Sequence, residues 1–408
     1  MKKTVAIIGS LDTKGEEFKF LKESIEKNGL STFVFDVGVL GDPLFEPDVR
    51  ADEIAKAGGS DLDTLRKKNN RGFALDTMAA GIAVVVKEKF DQGKFDGIIS
   101  MGGGGGTGVG TSGMRTLPVG VPKIMVSTVA SADTSPYVGT TDIMMMPSIV
   151  DISGLNRISK IIFRNAANAI SGMVLYSTVE TNVSEERPLI AATMFGNTTR
   201  AVNHARKIIE DAGYEVLVFH CTGTGGKTME MLIHNDYFKG VLDITTTEWA
   251  DEICGGVLSA SDHRLEAAAL KGIPQVVTPG CIDMVNFWGE ETVPEKYKDR
   301  LFYHWNPNVT LMRTNVEENA TLGKIFAEKL NMAIAPVKVL IPLKGFSEID
   351  APGQPFWWPE ANQAFINELT KRLKPEIEII LMDNNVNDPE FSERCATELL
   401  KLLDSNKN

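Results

Sequence analysis

Short continuous apolar runs alternate along this chain with longer stretches in which apolar residues return at helical spacing. The runs at 5–8, 33–37, 95–101 and 123–128 predict buried strands. Between the first two, Thr13-Lys14-Gly15-Glu16 has the form of a capping box. It precedes Phe18, Leu21 and Ile25 on one helix face, and Asn28-Gly29 closes that helix. Residues 71–90 and 154–176 predict two longer helices, and 48–70 is an acidic, polar stretch. The run Met144-Met145-Met146-Pro147 predicts core filling, because methionine packs irregular gaps without requiring a ligand.

The polar, charged segment Thr181-Asn182-Val183-Ser184-Glu185-Glu186-Arg187-Pro188 interrupts this pattern, which then restarts. Strands are predicted at 189–194, 215–219, 241–244, 275–278, 301–303, 337–342 and 377–382, with helices between several of them. Alternating strands and helices in both halves predict an α/β fold of two domains, 1–183 and 184–408, with mainly parallel sheets. A closing helix, 389–403, is a candidate to pack back onto the first domain, since chain ends often lie close together.

Composition narrows the function classes. The chain has 408 residues, 43% of them hydrophobic, ample for real cores. Its net charge is -12 and no block of lysine or arginine occurs, which weighs against a nucleic-acid-binding surface but leaves room for a local phosphate pocket. No run is long enough to span a membrane, and the first apolar run is too short for a secretion signal. Cys221, Cys254, Cys281 and Cys395 lie far apart, and the histidines lack metal-ligand spacing. A cytoplasmic protein with neither disulfide framework nor protein-held metal centre is the expectation.

The candidate chemistry centres on Gly102, Gly103, Gly104, Gly105 and Gly106, followed by Thr107, directly after a predicted strand. Each glycine loses more backbone freedom on folding than other residues, so the run has to be used for something. Without Cβ atoms, successive N–H groups and a helix N-terminus can cradle an anion closely. The run matches neither the dinucleotide nor the Walker pattern. Ser10, Asp12, Thr13 and Lys14 follow the first strand; Lys14 suits phosphate oxygens and Asp12 suits Mg²⁺, or Asp12 and Thr13 merely cap a helix. Asp36 sits either as a ribose-binding acid or as a loop cap, and Thr128 ends the strand expected beside the glycine loop.

In the second half, Gly223, Gly225 and Gly226 lie in Thr222-Gly223-Thr224-Gly225-Gly226-Lys227-Thr228, a second candidate anion loop. Cys221 stands where a Walker loop needs its first glycine. Asp262-His263-Arg264 precedes a helix, and Cys281 follows a strand. A Cys281 nucleophile with His263 as base competes there with a buried thiol and a capping cluster. Glu248 and Asp251, one turn apart, read either as paired carboxylates or as a solvated helix face, the commoner case, and 342–350, with Lys344, reads as a substrate loop. The aromatics of Phe356-Trp357-Trp358 suit a lid, core or subunit interface.

Several of these stretches are jointly recognisable: Ser10-Leu11-Asp12-Thr13-Lys14, the glycine run, Val138-Gly139-Thr140-Thr141-Asp142-Ile143, and Val150-Asp151-Ile152-Ser153-Gly154-Leu155-Asn156. Gly272-Ile273-Pro274-Gln275-Val276-Val277, Asp283-Met284-Val285-Asn286-Phe287, Val309-Thr310-Leu311-Met312-Arg313-Thr314 and 342–350 join them. Together they resemble an uncharacterised bacterial and plant family that includes the ATP-binding domain of the tomato tobamovirus-resistance protein. The resemblance covers essentially the whole chain. It implies two Rossmann-like domains, a nucleotide site in the first, and a homodimer. In the plant relative a TIM-barrel domain follows, so a separate TIM-barrel protein is the implied partner here.

The expectation is therefore an ATP-binding protein, with Mg²⁺, using the first glycine loop and Ser10 to Lys14. A second, anionic small molecule is expected in a cleft between the domains lined by Gly223 to Gly226, His263, Arg264 and Lys344. The alternative is an enzyme acting on acyl or carboxyl groups of small carboxylic or sugar acids. His263 would then be its acid or base, and Arg264 or Lys344 its carboxylate clamp.

Overall fold

A computed structural model describes residues 2–177 and 187–405. The chain divides into two compact units, 1–181 and 182–408. The boundary expected at 183/184 falls outside the described residues.

The first unit runs β1 (Thr4–Gly9), α1 (Gly15–Lys27), β2 (Ser31–Asp36), α2 (Ala51–Ala57), α3 (Leu62–Lys68), α4 (Arg71–Asp91), β3 (Gly97–Gly102), α5 (Gly104–Met114), β4 (Lys123–Ser127), α6 (Ser135–Val138), β5 (Met144–Pro147) and α7 (Arg157–Tyr176). Its five strands are all parallel, in the order β2-β1-β3-β4-β5. Strands β3 and β4 are buried throughout, as continuous apolar runs covered on both faces should be. One face packs Ile8, Ile98 and Met125 against Ile54, Ile82 and Val109 from α2, α4 and α5. The other packs Ile7, Ile99 and Ile124 against Phe18 and Leu21 of α1 and Phe163 and Ile170 of α7.

This strand order changes direction between β1 and β3, and ligands of open parallel sheets bind at the carboxyl ends of the strands flanking such a switch. The loops after β1 and β3 are the two that the sequence singled out. Local detail differs or sharpens at three points. Helix α1 has Lys14 at its N-cap and no side-chain cap, so the Thr13–Glu16 capping box does not form. The polar stretch at 48–70 folds into the short helices α2 and α3. The methionine run forms the edge strand β5, where Met145 and Met146 pack partly buried against the cores on the two faces and Met144 is exposed.

The second unit runs β6 (Leu189–Met194), α8 (Thr199–Asp211), β7 (Glu215–His220), α9 (Thr224–His234), β8 (Gly240–Thr245), α10 (Glu248–Cys254), α11 (Ala267–Lys271), β9 (Gln275–Gly280), β10 (Met284–Phe287), β11 (Phe302–Asn306), β12 (Val309–Arg313), α12 (Val316–Leu330), β13 (Val337–Pro342), α13 (Pro359–Arg372), β14 (Glu378–Met382) and α14 (Pro389–Ser405). Six parallel strands form the sheet β14-β13-β9-β8-β6-β7. The strand expected at 301–303 lies elsewhere, as β11 in an antiparallel sheet ordered β10-β12-β11. The closing helix α14, a candidate to return to the first domain, buries Phe391, Cys395 and Leu399 with Ile190, Val202 and Leu242 of the second unit. Both units are thus Rossmann-like α/β layers. Among the described residues no helix is long and apolar enough to cross a membrane.

Candidate functional site: a glycine-lined cavity in the first unit

Strand β3 ends at Gly102, Gly103 is the extended N-cap, and α5 begins at Gly104. The bond from Thr107 N–H to the Gly103 carbonyl, 2.8 Å, closes the first turn. The amides of Gly104, Gly105 and Gly106 therefore belong to the turn whose N–H groups lack intrahelical acceptors. Packing explains some glycines of this segment and not others. A Cβ on Gly102 would lie 2.7 Å from Gly106 Cα, and one on Gly110 2.5 Å from Ser100 Oγ. At Gly103, Gly104 and Gly106 the nearest atom would be 3.6 Å away, an ordinary contact, and at Gly108 nothing lies within 4 Å. Each helical glycine costs roughly 0.5–1 kcal/mol relative to alanine, and here the fold itself recovers nothing for that cost.

A cavity of about 570 Å³ opens on this turn. Gly102 to Gly106 form one wall and Ser10, Asp12, Thr13 and Lys14 another, so the structure brings the two predicted loops together. Lys14 Nζ donates to the Ile152 carbonyl, within the loop that also brings Asp151 to the cavity. Asp12 Oδ2 accepts from the N–H groups of Leu40 and Gly41 at 2.8 and 3.1 Å, while its Oδ1 is buried without a partner. Val39, Leu65, Leu75, Met78 and Val109 make an apolar side.

Three predicted residues stand apart from the cavity. Asp36 Oδ1 accepts from Leu11 N–H (3.0 Å) and Gly38 N–H (2.9 Å), so it caps the loops, and burial raises its pKa despite those bonds. Thr107 Oγ1 lies 2.6 Å from Ser127 Oγ, turned into the core. Thr128 is exposed and gives its N–H to the Gly102 carbonyl at 3.2 Å. The sequence reading missed Arg66, Asn69, Asn70 and Arg71. Arg66 donates to the carbonyls of Val39 and Gly41. The Arg71 guanidinium lies 3.7 Å from where a Gly105 Cβ would stand. The available signal was Asn69-Asn70 before a long helix: Asn69 is left-handed at φ 45° and Asn70 caps α4, which sets Arg71 at the first helical position, exposed and on the cavity wall.

The second glycine loop is already filled. Glu248 Oε1 accepts from the N–H groups of Gly223 (2.9 Å) and Gly226 (3.0 Å), and a Cβ on Gly226 would lie 2.1 Å from Glu248 Oε2. Glu248 and Asp251, expected on a solvated face, are both buried. Arg264 is no substrate clamp. It donates to Glu248, to Glu230, twice to Asp243 and to the Thr245 carbonyl, which occupies all five of its N–H groups. Burial opposes its charge, but Asp243, Glu248 and Glu230 outweigh that and hold the guanidinium protonated.

His263 has a side chain 78% exposed, and its Nδ1 lies 2.9 Å from Glu266, whose hydrogen bond raises the imidazole pKa. Lys344 pairs with Asp383 at 2.8 Å. His263 and Lys344 are thus exposed side chains, each beside a carboxylate of its own, and Arg264 is buried. Cys281 is fully buried and its thiol is pushed well up by that burial, so it is no nucleophile. Among the described residues no group of three or more His, Cys, Asp or Glu is placed to hold a metal ion.

Residues 3–179 match the N-terminal domain, and residues 187–403 the C-terminal domain, of a family described as uncharacterised protein family UPF0261. A UPF0261 protein of Clostridium tetani is 52% identical over 405 residues, covering 99% of this chain and 100% of that protein. The ToMV resistance protein Tm-1(GCR237) of Solanum lycopersicum is 37% identical over 421 residues, and the match covers 98% of this chain but 55% of the tomato protein. Among solved structures, a UDP-GlcNAc 2-epimerase of Methanocaldococcus jannaschii in complex with UDP-GlcNAc and UDP is 10% identical. It aligns with a TM-score of 0.25, over 67% of this chain and 83% of that one, a likeness too slight to bear on function.

Proposed function

For a chain that belongs to family UPF0261, we propose that the first unit binds the phosphates of a nucleotide, ATP with Mg²⁺, in the glycine-lined cavity. The observation that carries this reading is the set of glycines at the head of α5 that packing does not require. Their amides and the helix N-terminus offer an anion cradle. Lys14 and Arg71 bring positive charge to the same cavity, and the apolar side suits a base. Ser10, Asp12 and Thr13 would complete the phosphate end, and Asp12, whose Oδ1 is buried without a partner, would be the carboxylate for Mg²⁺ or a water bound to it.

The test is calorimetric titration of the full chain with ATP and Mg²⁺, beside Gly104→Val and Arg71→Gln. Both variants are expected to melt cooperatively like the parent. Valine should block binding, and glutamine should weaken it by about tenfold or more, as loss of a charge-assisted bond does. Equal affinity in all three proteins would remove the nucleotide from this cavity.

A further inference from the structure

We propose that the second unit holds a small-molecule site of its own, for a small carboxylic acid that also carries a hydroxyl or ammonium group. It lies in a cavity of about 580 Å³ between the first turns of α8 and the loops that follow β13 and β14. These loops leave the carboxyl ends of their strands, the edge where parallel sheets bind ligands. The cavity shares no wall residue with Gly223 to Gly226, His263, Arg264 or Lys344.

Its floor is held in place. The Asn385 side-chain amide donates to the carbonyls of Lys344, Gly345 and Ser347 at 3.0, 3.2 and 3.0 Å. Gly345 takes a φ of 111°, and a Cβ there would meet the Asp350 carbonyl at 2.0 Å, so this loop has one shape. Asn387 donates to the Asn197 carbonyl at 2.8 Å and accepts from Ala201 N–H at 3.3 Å, which ties the β14 loop to the start of α8.

The rim, in contrast, keeps its chemistry available. Arg200 has a side chain 70% exposed and touches Glu348 through a single 3.3 Å contact, leaving most of its fork unused. An exposed pair of this kind is weakly held and readily exchanged. His204 stands one helical turn further along the same face, and Gln354 closes the opposite side. Arg200 and His204 suit a carboxylate, whereas Glu348, Gln354 and Asp388, whose Oδ2 already accepts from Asn385 N–H at 2.8 Å, suit the hydroxyl or ammonium group beside it. Only Ala351 and Pro389 are apolar among the lining residues, so nothing resembles the base-sized apolar side of the first cavity. The ligand class is accordingly a small acid and not a nucleotide.

The experiment compares L-malate, L-aspartate and succinate at millimolar concentration as ligands of the full chain, read by thermal shift and then by calorimetry. Malate or aspartate should bind, and succinate, with neither hydroxyl nor ammonium, should bind more weakly. Arg200→Gln should weaken binding by about tenfold or more, and Glu348→Gln should narrow the preference over succinate. Both positions are exposed, so both variants should melt like the parent. The Gly104→Val chain should bind these acids unchanged, which separates this site from the nucleotide reading. No binding by any of the three acids, equal binding of succinate, or binding indifferent to Arg200→Gln would overturn the proposal.

Discussion

The carboxylate of Glu248 rests on the Gly226 amide at 3.0 Å, in the place a ligand's phosphate would need in the second glycine loop. The two glycine loops of this chain therefore have different uses. In the second, the fold supplies its own anion and locks it with Arg264 Nε at 2.8 Å. In the first, the equivalent amides face a cavity. Glu248→Ala would leave Arg264 with one fewer carboxylate and two glycine amides buried without an acceptor. Breaking a buried pair in this way should cost about 3–5 kcal/mol, measurable by urea unfolding, while the ATP binding proposed for the first unit is left unchanged. A loss below about 1 kcal/mol, the scale of an exposed pair, would mean that the cluster does not hold this loop.

Glycine substitutions sort the two loops by a second route. Gly108 lies inside α5 with nothing within 4 Å of the place its methyl group would take, and its φ is ordinary. Gly108→Ala should raise stability by about 0.5–1 kcal/mol through helix propensity and the unfolded chain's entropy. Gly226→Ala should instead destabilise, because its methyl would sit 2.1 Å from Glu248 Oε2. Parallel thermal melts decide the matter: two shifts of the same sign would contradict the packing account of these glycines.

The sheet edges were legible from sequence because the strands are continuous apolar runs followed by glycine or hydroxyl residues, as at Ile98 to Gly102. Legibility ended where function depends on pairing across the fold. Asp36 has the position of a ribose acid, but only its bonds to Leu11 and Gly38 reveal that it caps loops. Glu248 and Asp251 look like a solvated face because nothing in one helical turn announces that Arg264 and Asn286 will cover them. Arg71 was hidden in a long helix, since the left-handed turn at Asn69 that places it is set by local backbone geometry.

Burial gives the second unit a pH dependence with a definite sign. Asp251 is pushed up to about 7 by burial against the bonds it accepts from Asn286 and Leu258. Asp283 is likewise raised to about 7 by burial and by the neighbouring Asp350. The unfolded chain releases these protons at about pH 3.9, so between there and about pH 7 the folded state holds more protons and loses stability as pH rises. Asp251→Asn abolishes its share. Asn286 Oδ1, buried without a partner, can turn to accept from the new amide. Urea melts should show the variant gaining on the parent between about pH 4 and about pH 8. A constant difference across that range would show that Asp251 keeps an ordinary pKa.

The cap made by Asp36 also bears on which nucleotide the first unit accepts. A ribose-reading acid needs a free carboxylate oxygen facing the cavity, where it can take a 2′-hydroxyl proton. Here Oδ1 is committed to two backbone N–H groups and Asp36 is absent from the cavity lining. A site that forms no bond to a hydroxyl has little to lose when the hydroxyl is removed, whereas a site built to bond it discriminates strongly. If ATP binds as proposed, 2′-deoxy-ATP should bind within about threefold of it, as read by competition in the same calorimetric titration. Asp36→Asn should lower stability by disturbing the caps on Leu11 and Gly38 and leave the ratio of the two affinities unchanged. A large preference for ATP that Asp36→Asn abolished would return Asp36 to the ribose and displace the cap reading.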